Sequence, residues 1–150
     1  MIKNLELGEI LGINEQIWKM SQKYSDIEYG AHDIYEIKKE KIRNLVDNTP
    51  IGNIINIATY YLKNLILLQP FPDANHRTAF EAVRYFLHKN NIEFRWDIDT
   101  IDEFHLTIYR LRFKIYGTYE ELPANVLKEP KNELYNYCKD YIEKTMKNRT

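Results

Sequence analysis

Polar chemistry is concentrated in the segment Gln69-Pro70-Phe71-Pro72-Asp73-Ala74-Asn75-His76-Arg77-Thr78-Ala79. A carboxylate, an amide, an imidazole and a guanidinium fall between Asp73 and Arg77. Apolar runs flank the segment on both sides, so it lies beside a core, where polar groups are costly unless they are partnered or hold a ligand. A helix beginning near Asn75 would point its first, unpaired N–H groups back into the loop. That is an anion site, and the helix dipole strengthens it. Arg77 in the first turn opposes the dipole. A bound phosphate would cancel that penalty and use the guanidinium as a two-pronged clamp. Asp73, just before the helix, is placed to hold Mg²⁺, a hard cation satisfied by one or two carboxylates plus phosphate oxygens. Phe71 would anchor the loop in the core, and Thr78 would either add a hydroxyl or pack. A plainer reading stays open beside this one: Asp73 or Asn75 is a helix cap and nothing more.

The elements that must position this loop are helices, because the apolar spacing is helical almost throughout. Ile13, Ile17, Met20 and Tyr24 trace one face of a first helix, and Ser25 to His32 breaks the pattern at Gly30. Ile34, Ile37, Ile42 and Leu45 predict a second, more polar helix, with Asn48-Thr49-Pro50 as a stop and a cap. From Ile51 to Leu68 the chain is apolar nearly all round, which predicts a helix buried on every side. Gln69-Pro70 ends it, since a residue before proline is pushed out of helical geometry. Ala79, Val83, Phe86 and Leu87 carry the next helix, closed by Lys89-Asn90-Asn91. Ile92 to Trp96 reads as a short extended piece. Asp99 or Thr100 caps a helix with the stripe Ile101, Phe104, Ile108, Leu111 and Ile115, ending at Gly117. A short element follows from Tyr119. A final helix over about 130–147 starts near Pro130, shows Leu134, Tyr137 and Tyr141 beside Cys138, and ends in a basic tail, Lys144 to Arg149. The expected architecture is all-α: one domain over 1–150, a bundle around a buried central helix, with the last helix appended.

Composition narrows the function classes. The 21 Lys and Arg nearly cancel the 22 Asp and Glu, leaving a net charge of -1. Such a chain has no sequence-wide attraction to a polyanion, which argues against a DNA-binding role. With one cysteine there is no internal disulfide and no thiolate zinc cage, which fits a reducing compartment. The N-terminal stretch MIKNLELGEILG carries acids and no long apolar run, and no stretch approaches about 18 consecutive apolar residues. The expectation is a cytoplasmic protein with no membrane partner. The twelve tyrosines reflect the same compositional bias as the abundant Ile, Lys and Asn, and imply no base-stacking surface.

The segment resembles the signature of the Fic/Doc superfamily, His-x-Phe-x-Asp/Glu-Gly/Ala-Asn-Gly/Lys-Arg. Phe71, Asp73, Ala74, Asn75 and Arg77 match it, and Pro70 matches its frequent His-Pro-Phe form. Ala74, Thr78-Ala79 and Phe80 are closer to the Doc (death-on-curing) branch. The weaker similarity covers roughly 10–115, including a run YFLHKNNIEF similar to the family's FLxxNG segment; the motif itself spans 69–80. The resemblance implies a transferase that takes ATP or another nucleoside triphosphate with Mg²⁺. It would move AMP, or in the Doc branch phosphate, onto a hydroxyl of a target protein. Carried over, Asp73 binds Mg²⁺, Asn75 orients the phosphates and Arg77 clamps them. Backbone N–H groups from Ala74 through His76 to Arg77, with Thr78 beside them, complete the anion site. Such transfer depends mainly on positioning and charge neutralisation. The resemblance also implies a toxin restrained by an antitoxin partner, because no inhibitory Ser/Thr-x-x-x-Glu-Gly/Asn motif is found; Ser25-Asp26-Ile27-Glu28 is one residue short.

Gln69 departs from the pattern. The family's histidine there is the general base, worth about 10²–10⁴-fold. An amide accepts no proton near neutral pH. The sequence therefore predicts an intact phosphate clamp with damaged chemistry. A catalytically impaired nucleotide-binding pseudoenzyme, or regulatory module, stands as the alternative to an active transferase. His76 is the one histidine inside the motif; its plainer role is a solvent-facing first-turn residue. His32, His88 and His105 read as ordinary histidines, and no pair of the four has a helical zinc-ligand spacing.

Overall fold

The most apolar stretch of the chain forms α3, Ile54–Leu68, and every residue from Ile57 to Leu68 is buried. The structure is a computed structural model that describes residues 1–117, 122–129 and 131–147, the last without its side chain. Around α3 stand α1 (Leu7–Lys23), α2 (Lys39–Asp47), α4 (Asn75–Lys89), α5 (Ile98–Tyr116) and α6 (Glu133–Lys147). Among the described residues the connections hold the short 3-10 turns Ile34–Glu36 and Val126–Lys128. The fold is all-α, as the periodicity predicts, and no strand occurs among the described residues. The chain over 92–96 is irregular rather than extended sheet; Phe94 and Trp96 tuck their rings together at 4.7 Å.

α3 can be buried all round because most of its polar groups find partners inside; among the described residues only the Asn56 and Asn64 Oδ1 atoms are left without one. Thr59 donates to Ile55 C=O at 2.8 Å, and Asn64 donates to Tyr60 C=O at 3.0 Å. The Tyr60 hydroxyl donates to Leu45 C=O on α2 at 2.6 Å. The Tyr61 hydroxyl accepts from Leu5 N–H at 3.0 Å, tying the N-terminal strap to the core. The Lys63 ammonium reaches Val126 C=O at 3.3 Å. Each bond removes the penalty of a lone buried polar group.

Several sequence expectations shift. The buried face of α1 is Ile10, Asn14 and Ile17, while Met20 and Tyr24 are exposed. The expected stripe was drawn around a polar residue, Asn14, that is in fact part of the inner face. Ile34 is exposed and belongs to a 3-10 turn, so α2 starts only at Lys39. Ile51 lies fully in solvent, and α3 begins after Asn53, whose side chain accepts from Asn56 N–H at 2.9 Å. α5 is capped by Asp97, which accepts from Asp99 N–H at 3.0 Å, and not by Asp99 or Thr100. It ends at Gly117 as expected, where a φ of 75° suits a residue without a Cβ. α6 is no appendage: Leu134, Cys138 and Ile142 join the core around α3. It starts at Glu133, with Asn132 accepting from Tyr135 N–H at 3.0 Å. Pro130, the expected element from Tyr119 and the end of the basic tail lie outside the described residues. Among the described residues no helix is long and apolar enough to cross a membrane.

Candidate functional site

The loop between α3 and α4 is bracketed by two left-handed residues, Gln69 with a φ of 46° and Ala74 with a φ of 60°. A residue with a Cβ pays about 1–2 kcal/mol for that conformation, so the loop must be held. Asn75 holds it. Its Oδ1 accepts from Phe71 N–H at 2.9 Å, and its Nδ2 donates to Phe71 C=O at 3.0 Å and to Gln69 Oε1 at 3.2 Å. Gln69 Nε2 donates to Ile66 C=O at 2.8 Å. Both ends of the Gln69 amide are therefore engaged in closing α3, and Phe71 is buried in the core as the loop's anchor.

Asp73 pins a second segment to this loop. One carboxylate oxygen accepts from Ala74 N–H at 2.7 Å, and the other accepts from Gly30 N–H. Gly30 belongs to the irregular arm 24–33 between α1 and α2. A Cβ at Gly30 would lie 3.1 Å from that oxygen, so any larger residue there must push the carboxylate back by a few tenths of an ångström. Behind the loop, the buried Asn14 of α1 donates to Asp73 C=O and to Thr78 Oγ1, both at 3.0 Å. Asn14 Oδ1 accepts from the Tyr29 hydroxyl at 2.8 Å. Thr78 passes its own proton to Ala74 C=O at 2.7 Å and is buried. Its hydroxyl serves the loop from the core side and does not line the groove described next.

Outside the loop runs an open groove of about 1090 Å³ between α4, the arm and the start of α5. Gln69, Asp73, Ala74, Asn75, His76 and Arg77 all line it. The N-cap of α4 is Ala74, which has no side-chain acceptor, and no acid sits in the first turn. Neither Asp73 nor Asn75 is the helix cap. α3 and α5, by contrast, begin under the side chains of Asn53 and Asp97. The start of α4 thus presents donors to the groove without a side-chain acceptor. Arg77 is exposed, and among the described residues its guanidinium makes no hydrogen bond or ion pair. Arg84, one helical stretch on, is tied to Glu81 at 2.7 Å. Phe80 and Trp96, with ring centres 4.6 Å apart, contribute an aromatic wall.

His76 meets His105 of α5 across the groove, Nδ1 to Nδ1 at 3.2 Å. Burial, reinforced by His105, pushes His76 down to about 4. Burial also lowers His105, against the opposing pull of Asp102. Desolvation favours the neutral ring in both cases. His76 is accordingly packed against a partner rather than facing solvent. His32 lies elsewhere, stacked on Trp18 with ring centres 4.0 Å apart, and His88 is exposed beside Glu93. Among the described residues no three metal-ligating side chains cluster. Asp73 is the motif's carboxylate on the groove. Each of its oxygens accepts one backbone N–H, which leaves lone pairs for one further ligand. Mg²⁺ fits such a site when phosphate oxygens and water supply its other ligands.

Asn14 and Tyr29 belong to the site without standing out in the sequence, where Gly30 reads only as a break in the helical pattern and His105 as an ordinary histidine. Asn14 carried a signal, an amide in step with Ile10 and Ile17. His105 carried none, because only the packing of α5 against α4 brings it to His76. Comparisons with protein-family models, with curated proteins and with solved structures return no match.

Proposed function

We propose that the chain is a Fic/Doc-like nucleotide-binding protein that seats the phosphates of a nucleoside triphosphate at the start of α4. One observation carries this reading: the Arg77 guanidinium, unpaired among the described residues, and the α4 N-terminus, without a side-chain cap, open into the same groove. Both favour an anion, and together they offer a fork and a set of backbone donors. The groove also holds acids, Glu28, Asp73 and Asp102 among them. They make a bare triphosphate a poor guest and a divalent cation its natural companion. Asp73 would hold Mg²⁺ through one carboxylate oxygen. The half-buried Trp96, backed by Phe80, gives the groove an aromatic edge beside which a base could rest.

Gln69 favours binding over turnover. Its amide has no basicity, and its two polar atoms are already engaged by Asn75 and Ile66. The reading is therefore a pseudoenzyme of the transferase class, held in a nucleotide-bound state. A second reading has one observation in its favour. His76 stays neutral in the groove, and a neutral imidazole is the form that accepts a proton. On that reading the chain transfers phosphate or AMP to a protein hydroxyl, as a toxin with an antitoxin partner would.

Two measurements separate these readings. ATP with Mg²⁺ should raise the melting temperature of the chain and of Gln69→His, but not of Arg77→Ala. Label from α- or γ-labelled ATP should reach lysate proteins only with Gln69→His. No thermal shift in the parent chain sinks the nucleotide reading. Labelling by the parent that disappears in His76→Gln establishes the second.

A further inference from the structure

Helix α5 has one exposed face whose apolar part meets no other element among the described residues, while its charged flank borders α6, where Glu103 lines a cleft with Lys144 and Lys114 pairs with Glu133. Leu106, Tyr109 and Phe113 are 51%, 61% and 64% exposed. Their spacing of three and then four residues makes an apolar stripe, with the exposed Asp102 on the same side one turn before Leu106. Beside it runs a flank of exposed charges: Asp99, Glu103, Arg110 and Lys114. At about 100° per residue all four lie within about 80° of Leu106, opposite the buried Phe104, Ile108 and Tyr116. The sign of the charge changes at Leu106. Acids precede it and bases follow.

This pattern complements itself in one orientation. When α5 lies antiparallel on a second α5 with the crossing point just past Leu106, between it and Thr107, Asp99 faces Lys114 of the partner subunit. Glu103 then faces Arg110 of the partner subunit, and the two-fold repeats both pairs. The apolar stripes meet on the other side of the same contact. A parallel pairing would set acid on acid and base on base. Arg110 makes no hydrogen bond or ion pair among the described residues. Lys114 has an exposed ion pair with Glu133 at 3.0 Å, which it would exchange or share.

We propose that this face is the isologous interface of a homodimer, two α5 helices packed antiparallel about a two-fold axis beside Leu106. α5 is 19 residues long, about 28 Å at 1.5 Å per residue. A single helix pair of that length lies at the small end of the interface range, below about 1,200 Å². The dimer is therefore reversible and depends on concentration. Ile98 and Asp102, at the edge of this face, also line the groove. Dimer contact and groove share a border, so the two grooves of the dimer open beside the same interface.

The test is sedimentation velocity on the full chain across the micromolar range. Two charge-reversed variants accompany it: Asp99→Lys with Glu103→Lys, and Arg110→Glu with Lys114→Glu. The parent should move from monomer to dimer with concentration. Each variant alone should dimerise at least about tenfold more weakly, because like charges now face each other. An equimolar mixture should regain the dimer, which also shows that both variants fold. Leu106→Glu, beside the axis, should abolish dimerisation in the parent background. A parent that stays monomeric throughout, or a mixture that stays monomeric while the parent dimerises, overturns the proposal.

Discussion

Asp73 serves as an acceptor for two backbone N–H groups on different segments, and the two roles can be told from metal binding. Asp73→Ala leaves the Gly30 and Ala74 N–H groups without their acceptor. The expected loss is about 1–3 kcal/mol in urea unfolding, with faster proteolysis within the arm 24–33. A stability unchanged by Asp73→Ala would show that the carboxylate does not hold the arm. The histidine pair predicts a pH dependence. Because burial holds His76 at about 4 when folded, against 6.5 for a free ring, the unfolded chain binds its proton first. Stability is then fully present above about 6.5 and falls as pH drops toward 4. The loss is on the order of 3 kcal/mol, and His105 adds in the same direction. His76→Gln should flatten the profile of melting temperature between these pH values; an equally steep profile in the variant would assign the acid sensitivity elsewhere. At this scale the sequence was legible wherever function and local geometry coincide. Gln69, Asp73, Asn75 and Arg77 stand out as a polar cluster between apolar runs. Asn14 did not, because an amide on a helix interior is read as the edge of the apolar face until its partners are known.

Elements were easier to count than to bound. The apolar run ending at Leu68 declares α3, but nothing in its hydropathy says that Ile51 is outside and Asn53 is the cap. The side-chain bond from Asn53 to Asn56 N–H decides that boundary. The same holds for Asp97, which competes with Asp99 and Thr100 for the cap of α5 and wins by geometry. The junction of α3 and α4 carries its own prediction. Ala74 occupies left-handed backbone at φ 60°. Ala74→Gly removes a strain of about 1–2 kcal/mol and adds about 0.5–1 kcal/mol of unfolded-state entropy. The net gain, about 0.5 kcal/mol by the difference of these two figures, should appear as a small rise in the urea midpoint. A clear fall would mean that the methyl group of Ala74 packs usefully against the loop.

For the molecule as a whole, the order of elements was readable and their mutual packing was not. The last helix has an ordinary amphipathic pattern, so sequence alone leaves it equally suited to an appendage. The structure sets its Leu134, Cys138 and Ile142 against α3. Ile142→Ala should therefore cost about 2–5 kcal/mol in the same cooperative transition that unfolds α3 and α4. A separate early transition for α6 would show the helix to be only loosely attached.

The packing of α6 also gives the chain a built-in clock. Cys138, the one cysteine of the sequence, has no exposed surface, and burial pushes its thiol up to about 12. At neutral pH it offers a thiol reagent neither access nor thiolate. Modification must then pass through molecules in which α6 has left the core. With dilute reagent, the labelling rate reports how much of the opened form exists. With concentrated reagent, it reports how often the opening occurs. Mass spectrometry of a single added label would thus time an event at the C-terminal helix, without any engineered probe.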